Sequence, residues 1–369
     1  TTATLLNTGN NLYMQDITLQ NALEYYKSGS AGRAVCLQDK GTQTICKNVK
    51  MLSYQDTYYS NEPNGKGQFY FEDSEIHGTV DYVCGGGDVF FNRVLFVNES
   101  RKEGEKNGED VIAAPNSKSE WGYIFKDCTI ENKAKAFSLG RSWNNITRLT
   151  WLNTTVNQKD EILNDDKKFA YFTINAMGDA MADKFRLDVL KDAEGNVFSP
   201  AEKKVVFKAS DGKVLKDEEN IILTADEAAA YTLENVFGKW EPAKLAAQQT
   251  AGAATEVDGK LSWTGDAQMY IVLKNGEFFA LTSEKSLDLE GATGTFTVRA
   301  ANQMGGFGEV TSVATGIKDI HAATENGAAV KTAIFAVSGT QQSRLQKGIN
   351  IVVKTLADGS KETTKMVVK

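Results

Sequence analysis

One short phrase recurs along the first 160 residues and limits the folds that this chain can adopt. Each copy has an apolar residue two positions before a pivot and another three positions after it. The pivots are Asp16, Asn48, Asp73, Arg93, Asp127 and Asn153. Before the pivot, apolar residues alternate with the period of two of a strand that has one buried face. After the pivot the phase slips, as it would where a strand turns a corner.

The spacing of the copies distinguishes two all-β folds. The pivots recur roughly every 20 to 35 residues, which is typical of the coils of a β-solenoid that stack their apolar rows. A β-sandwich predicts turns about every 8–12 residues and no alignment in columns. Asp and Asn at one fixed place suit corners, where their side chains bond to nearby backbone. The pattern therefore favours the solenoid.

Two further segments follow the repeats. From about residue 160 to 245 the phrase fades and the chain becomes charged, and a short helical run is expected from Ala225 to near Gly238. We expect this segment to pack along the outside of the solenoid and to cap its C-terminal end, so that residues 1–245 form one domain. Residues 246–255 are small and polar and predict a linker.

The last third of the chain predicts small β modules. Short alternating runs and an Asn275-Gly276 hairpin signal resemble a fibronectin-type-III-like sandwich over residues 256–315, with Trp263 in its core. Residues 316–369 predict further strands and are similar to the C-terminal sorting domains of secreted Bacteroidetes proteins. That similarity implies contact with export machinery.

Composition excludes several function classes. The 41 Lys and Arg residues against 48 Asp and Glu give a net charge of -7, which argues against nucleic acid as a partner. The sequence contains no run of about 20 apolar residues, so it predicts no membrane span. With only two histidines, a His-dependent triad or a His-rich metal site is hard to build.

The cysteines do not predict a metal site either. Cys36, Cys46, Cys84 and Cys128 have no CxxC spacing and few histidine partners, which argues against zinc. We expect free cysteines in the core. A disulfide such as Cys46–Cys84 stays an alternative in an exported protein.

Two aspartates, Asp56 and Asp81, stand one coil apart, each just after an apolar strand. Equivalent positions on successive coils lie about 5 Å apart. Two carboxylates at that separation tend to have their pKa values pushed apart, which suits a nucleophile beside a general acid. Gln55 adds an amide donor, and Arg141 adds a fork that could hold a carboxylate ionised. The alternative is a structural ladder of polar corner residues.

The segments around these residues resemble pectin methylesterases. TATLLNTGNNLYMQDITLQN, YQDT, GTVDYVCGGG and GRSW follow one another in the order and approximate spacing of that family. The resemblance covers residues 1–160 and, more loosely, 160–245. It implies a right-handed parallel β-helix and a secreted bacterial carboxylic ester hydrolase. That enzyme would act on methyl-esterified homogalacturonan without a cofactor or a metal.

The resemblance also implies a role for each residue of the motifs. Asp81 would attack the ester carbonyl as the nucleophile, and Asp56 would protonate the departing methoxide and then activate water. Gln55 would donate into the oxyanion hole. Arg141 would hydrogen-bond to Asp81 and keep it charged.

Substrate contacts are expected beside these motifs. Trp143 would pack against a galacturonate ring. Tyr58, Tyr59 and Tyr82 could line the sugar groove, and the alternative is that they are ordinary strand residues. Arg33 stands before the AVCL phrase, where the family usually has a second oxyanion glutamine. Arg33 would either donate to the oxyanion or pair with free galacturonate carboxylates.

Two other functions are weighed against the esterase. The alternative enzyme class is a β-helix polysaccharide lyase or hydrolase. Lyases usually need an acidic calcium cluster and a basic proton abstractor, and the sequence shows no such cluster. A non-catalytic pectin-binding or adhesive protein would keep the scaffold without activity.

The chain begins at Thr1 inside a strand-like phrase. We therefore expect that a leader, the family's N-terminal cap and its first coils are missing.

Overall fold

The computed structural model describes residues 3–23, 32–117, 119–143, 146–163, 172–177, 181–202, 204–208, 214–310, 313–314, 331–336, 339–355 and 361–368. The chain divides into two compact units. The first comprises Thr1–Thr255 with Gly259–Ala314, and the second comprises Glu256–Asp258 with Thr315–Lys369.

Parallel strands wind through the first half of the chain and form a parallel β-helix. One sheet has seven strands. In the order in which they pair, these are β1 (Leu5–Asn7), β3 (Leu37–Asp39), β5 (Tyr58–Ser60), β8 (Val80–Gly85), β11 (Glu109–Pro115), β14 (Ala136–Trp143) and β17 (Phe172–Met177). Each pairs with the strand of the next coil, so the sheet runs along the solenoid.

The second sheet has twelve strands and wraps around a corner. In order, these are β18 (Met181–Leu187), β15 (Ile146–Leu152), β12 (Tyr123–Lys126), β9 (Asp88–Asn92), β6 (Gln68–Glu72), β4 (Thr44–Leu52), β7 (Glu75–Gly78), β10 (Leu95–Asn98), β13 (Thr129–Asn132), β16 (Thr154–Val156) and β19 (Leu190–Lys191), with β2 (Tyr13–Gln20) paired to β4. The long strands β2 and β4 run through the corner, so that this sheet covers two faces of the solenoid. The seven-stranded sheet forms the third side of each coil.

The predicted pivots are these corners. All six have φ between 48° and 56°, the left-handed region that Asp and Asn tolerate better than most residues. Their side chains form a polar ladder between coils. Asn48 Nδ2 donates to Asp16 Oδ1 at 2.6 Å, and Arg93 Nε donates to Asp73 Oδ1 at 2.7 Å. The prediction of a solenoid with polar corners is confirmed.

The solenoid core is built from the apolar positions of the phrase. Phe71, Phe91, Phe125 and Trp151 stand two residues before successive pivots, and all are fully buried. Their rings follow one another along the axis, with centroids 4.9, 4.8 and 3.8 Å apart. Burying an aromatic side chain of this size stabilises the fold by about 2–3 kcal/mol. The four cysteines are also buried and are free, as expected.

The β-helix continues past the last pivot. The fading of the phrase near residue 160 suggests that the repeats end there, but β17, β18 and β19 add strands to the three sides. Further along the chain, Ile221 is buried in the solenoid core, and its carbonyl accepts a hydrogen bond from the backbone N–H of Leu187 at 3.0 Å. Residues near 221 therefore help to close this end, as the sequence predicts.

The charged segment then covers one outer side of the solenoid. After the hairpin β20 (Lys204–Lys208) and β21 (Val214–Asn220) come three short helices, Ala225–Ala229, Leu233–Phe237 and Pro242–Leu245. The helices bury Phe237 and Trp240 against Tyr70 and Phe90, whose side chains point outward from the coils. The predicted helical run is confirmed.

Residues 246–255 differ from a free linker. Ala246 is buried with the outer helices, and Ala251 and Ala254 are buried in the core of the following module. Lys47 Nζ donates to the carbonyl of Ala246 at 2.9 Å. The segment is therefore packed at both ends and is not a free linker.

The module that follows is antiparallel. Its strands are β22 (Thr255–Val257), β23 (Lys260–Ser262), β24 (Tyr270–Lys274), β25 (Glu277–Thr282), β26 (Ser286–Asp288), β27 (Phe296–Ala300) and β28 (Val313–Ala314). β24 and β25 are joined by the expected hairpin, with φ of 51° at Asn275 and 87° at Gly276. Trp263 is buried beside Tyr270 in the core. The likeness to fibronectin type III stays a prediction.

This module contacts the first coil of the solenoid. Asn302 Nδ2 donates to the hydroxyl of Tyr13 at 2.7 Å, and Gln15 Nε2 donates to the carbonyl of Phe307 at 3.0 Å. Both residues of the first coil lie on β2.

The second unit contains a four-stranded antiparallel sheet. It is built from β29 (Lys331–Ala336), β30 (Gln341–Gln342), β31 (Gly348–Thr355) and β32 (Lys361–Val368). The strands predicted around Ile334 and Ile349 and at the C-terminus fall in β29, β31 and β32. The sorting role of this unit stays a prediction. Among the described residues, no helix is long and apolar enough to cross a membrane.

Candidate active site

Both aspartates of the predicted pair lie at the seven-stranded sheet on neighbouring coils. Asp56 comes just before β5, and Asp81 lies in β8. β5 pairs in parallel with β8, with Tyr58 opposite Val83. The backbone N–H of Asp56 donates to the carbonyl of Val80 at 3.2 Å. The coil spacing of about 4.8 Å therefore separates the two aspartate backbones, as expected.

The backbone at both aspartates departs from a regular strand. Asp56 has φ of 58° and Asp81 has φ of 50°. The register of β11 against β8 shifts between Val111 and Ala113, so that Asp81 and Tyr82 together face one residue of the next coil. Such bulges re-aim side chains and are frequent beside active sites. Asp81 therefore does not follow the alternation of inward and outward side chains that a regular strand would impose.

Arg141 holds the carboxylate of Asp81 with both arms of its guanidinium. Nε donates to Oδ1 at 2.7 Å, and Nη2 donates to Oδ2. Burial raises the pKa of Asp81, and the hydrogen bonds and charge of Arg141 oppose that rise because they stabilise the ionised form. The glycine before Arg141 is required by packing. A Cβ on Gly140 would lie 2.3 Å from Leu149 Cδ2 and 2.9 Å from the carbonyl oxygen of Ala113.

Asp56 lies in a different environment from Asp81. Burial and the negative charge of Asp81 raise the pKa of Asp56 to about 6, against the opposing effects of Arg33, Arg141 and a hydrogen bond from Gln55. Among the residues that the structure describes, no guanidinium holds Asp56 by two hydrogen bonds in the way that Arg141 holds Asp81. A carboxyl group with a pKa near neutrality can give and take a proton in one catalytic cycle. The two carboxyl groups therefore differ in environment: Asp81 is held by a guanidinium, whereas the pKa of Asp56 is raised to about 6.

The predicted aromatic residues divide into two sets. The rings of Tyr59 and Trp143 lie 6.0 Å apart between centroids, and both side chains are half-buried. Tyr58 and Tyr82 are fully buried in the solenoid core, and the Tyr82 hydroxyl donates to Asn98 Oδ1 at 2.9 Å. The expectation that Tyr58 and Tyr82 line the sugar groove is therefore wrong, because their rings point into the solenoid.

Arg33 lies beside Asp56. It forms a parallel bridge with Gln55 on the next coil, and its Nε lies 3.4 Å from Asp56 Oδ2. The Arg33 side chain is 65% exposed, whereas that of Asp56 is 16% exposed. Arg33 therefore reaches Asp56 from the solvent side.

One buried ion pair near the site was not predicted. Arg101 Nε donates to Asp110 Oδ1 at 3.0 Å, and the Asp110 side chain is fully buried. Burial raises the pKa of Asp110 to about 8, and the charge of Arg101 opposes the rise. Arg101 also lowers the pKa of Asp81, although less than Arg141 does. A charged residue at the start of the apolar run VIAAP is the only signal in the sequence for this pair.

Comparison with known proteins agrees with the motifs that surround these residues. Residues 1–164 match the pectinesterase family. Over 164 residues the chain is 29% identical to pectinesterase B of Pectobacterium parmentieri, and the alignment covers 40% of each of the two chains. Over 156 residues it is 29% identical to pectinesterase B of Dickeya dadantii, covering 38% of this chain and 35% of that relative. The chain thus spans well under half the length of these two pectinesterases.

Solved pectin methylesterases also align with the chain. A mutant enzyme in complex with a hexasaccharide gives a TM-score of 0.47 at 22% identity, covering 65% of this chain and 73% of that chain. The carrot enzyme gives a TM-score of 0.45 at 18% identity, covering 65% and 70%.

Within the residues that the structure describes, no group of three or more His, Cys, Asp or Glu side chains could hold a metal ion.

Proposed function

We propose that this protein is a pectin methylesterase that hydrolyses the methyl esters of homogalacturonan to free carboxylates and methanol. The observation that carries the proposal is the pair of aspartates on neighbouring coils. Asp81 is buried and held by Arg141, and Asp56 has a pKa near 6. The match of residues 1–164 to the pectinesterase family supports the substrate class.

In the first half of the reaction, a carboxylate oxygen of Asp81 attacks the ester carbonyl carbon. The negative charge that develops on the carbonyl oxygen is stabilised by the amide of Gln55. The bond from carbon to methoxide then breaks, and methoxide takes the proton of Asp56 and leaves as methanol. The galacturonate acyl group stays bound to Asp81.

In the second half, Asp56 acts as the base. Its carboxylate takes a proton from a water molecule, whose oxygen attacks the acyl carbon. The bond to Asp81 breaks and frees the galacturonic acid, which loses its carboxyl proton to solvent and leaves as a carboxylate. Both aspartates return to their starting states, with Asp81 ionised and Asp56 protonated. Arg141 stabilises the ionised Asp81 at the start and at the end of the cycle. The half-buried rings of Tyr59 and Trp143 would pack against the sugar.

The proposal is tested by measuring methanol and unsaturated sugar ends in the same reaction with highly methylated pectin. An esterase releases one methanol for each carboxylate formed and produces no ultraviolet-absorbing unsaturated ends. Unsaturated ends without methanol would identify a β-helix lyase. Binding of pectin with neither product would identify a non-catalytic pectin-binding protein.

We further propose that the protein acts outside a bacterial cell, because its proposed substrate is an extracellular polymer. The unit that contains β29 to β32 would then serve in export. Detection of the protein in the culture medium, and its retention in cells when residues 316–369 are deleted, would test this role.

A further inference from the structure

Arg33 is a cation with unused binding capacity at the edge of the proposed active site. Its contact with Asp56 Oδ2, at 3.4 Å, involves one of the three guanidinium nitrogens. Among the described residues, Asp56 is the only carboxylate within ion-pair distance of Arg33. A guanidinium has five N–H donors in a planar fork that matches a carboxylate. Since Arg33 is 65% exposed, a ligand can reach it from solvent.

The charges around Asp56 differ in how firmly they are held. Asp81 and Arg141 face it from later coils and are bound to each other by two hydrogen bonds. Gln55 donates to it, and the neighbouring Tyr59 is uncharged at neutral pH. Arg33 is the exposed charge of the group, so it is the one that a bound anion can neutralise.

We propose that Arg33 binds a free galacturonate carboxylate of partly de-esterified pectin and thereby breaks its contact with Asp56. Asp56 can then hold the proton that a general acid needs. The inference rests on the esterase activity proposed above. A bidentate contact with a carboxylate replaces the single 3.4 Å contact with Asp56. The enzyme therefore works best on a methyl ester that has a free carboxylate nearby.

The consequence is a substrate-dependent pH profile. Asp56 must be protonated when methoxide leaves, so its pKa sets the alkaline limb of kcat in the enzyme–substrate complex. An exposed charge at this distance shifts a neighbouring pKa by about 0.5–1 unit. On partly de-esterified pectin, the alkaline limb of the wild-type enzyme should lie higher by that amount than on fully methylated pectin.

The experiment compares kcat and kcat/KM for methanol release on two pectins of equal length, one almost fully and one about half methylated. Arg33→Gln keeps a hydrogen-bond donor and removes the charge, and Arg33→Lys keeps the charge and removes the fork. Lys285→Gln removes an exposed positive charge from the antiparallel module and serves as the matched control. Circular dichroism and thermal unfolding establish that each variant is folded.

The expected result is an alkaline limb in Arg33→Gln that is the same on both pectins and equal to the higher limb of the wild type. Arg33→Lys should keep part of the difference, and Lys285→Gln should keep all of it. A folded Arg33→Gln that retains the wild-type difference, or a wild type with no difference, would overturn the role of Arg33. Absence of methanol release by the wild type on either pectin would instead refute the esterase activity itself.

Discussion

The ion pair between Arg141 and Asp81 makes a quantitative prediction about the acid limb of the pH profile. The Arg141 side chain is 22% exposed and that of Asp81 is 6% exposed, so solvent screens the pair only weakly. Removing one partner of a buried pair costs about 3–5 kcal/mol, and the partial exposure of Arg141 favours the lower end. About 3 kcal/mol corresponds to about 2 pKa units.

In Arg141→Gln the pKa of Asp81 should rise, because the carboxylate loses its counter-charge and both hydrogen bonds. Asp81 must be ionised to attack, so the acid limb of kcat/KM should move up by about 2 pH units. At a fixed pH below the acid limb of the wild type, kcat/KM of the variant should be about 100-fold lower than that of the wild type. Arg141→Lys keeps the charge but loses the fork, so its limb should move by about half as much.

The assay is the pH dependence of methanol release by the wild type and both variants, at constant ionic strength. Thermal unfolding at each pH shows which range can be compared. An acid limb in Arg141→Gln that superimposes on that of the wild type would refute the argument that Arg141 keeps Asp81 ionised. A uniform loss of kcat at all pH values would indicate that Arg141 positions Asp81 without changing its pKa.

Three further predictions follow from the same structure. Asp56→Asn should lower kcat by about 10²–10⁴ because methoxide would leave without a proton, and nearly wild-type activity in a folded variant would contradict the two-carboxylate mechanism. The pKa of Asp110 is raised to about 8 in the folded state, so its contribution to stability is present at low pH and is lost as pH rises from about 4 to about 8. In denaturant titrations, the free energy of unfolding of Asp110→Asn relative to that of the wild type should therefore increase by up to about 1.4 kcal/mol per pH unit in that window. A difference that does not change with pH would contradict the raised pKa. Truncation after Leu245 should keep kcat but lower Tm by several degrees, because it removes hydrogen bonds to Tyr13 and Gln15 worth about 1 kcal/mol each; a folded truncation without turnover would show that the later module builds part of the groove.

The corners of the solenoid could be predicted because each imposes a local conformational demand. Positions such as Asp16 and Asn153 must adopt positive φ at the end of a half-buried strand, and both features leave a trace in residue type and spacing. The later coils left no such trace. In β18 the buried residues Phe185 and Leu187 pair with Leu149 and Trp151, so they keep the phase of the earlier copies. The residue equivalent to Asn153 is then Val189, which is neither Asp nor Asn and gives no corner signal.

The candidate site was predicted better in its polar residues than in its aromatic ones. The positions of Asp56 and Asp81 follow from the stacking of coils, which spacing reveals, and the contact of Arg141 with Asp81 was expected from the resemblance of the motifs. The direction of Tyr82 does not, because the bulge and the positive φ at Asp81 change which side of the strand the next residue faces. Likewise, sequence cannot distinguish the fully buried Asp110 from an exposed charge at the start of a strand.

The central claim is that Asp81 is the nucleophile of an ester hydrolase. The most direct test measures methanol release from highly methylated pectin by the wild type and by Asp81→Asn, after both give the same circular dichroism spectrum. The account predicts turnover by the wild type and less than about 1% of that rate in the variant, because an amide cannot attack the ester carbonyl. A folded Asp81→Asn that releases methanol at a substantial fraction of the wild-type rate would contradict it.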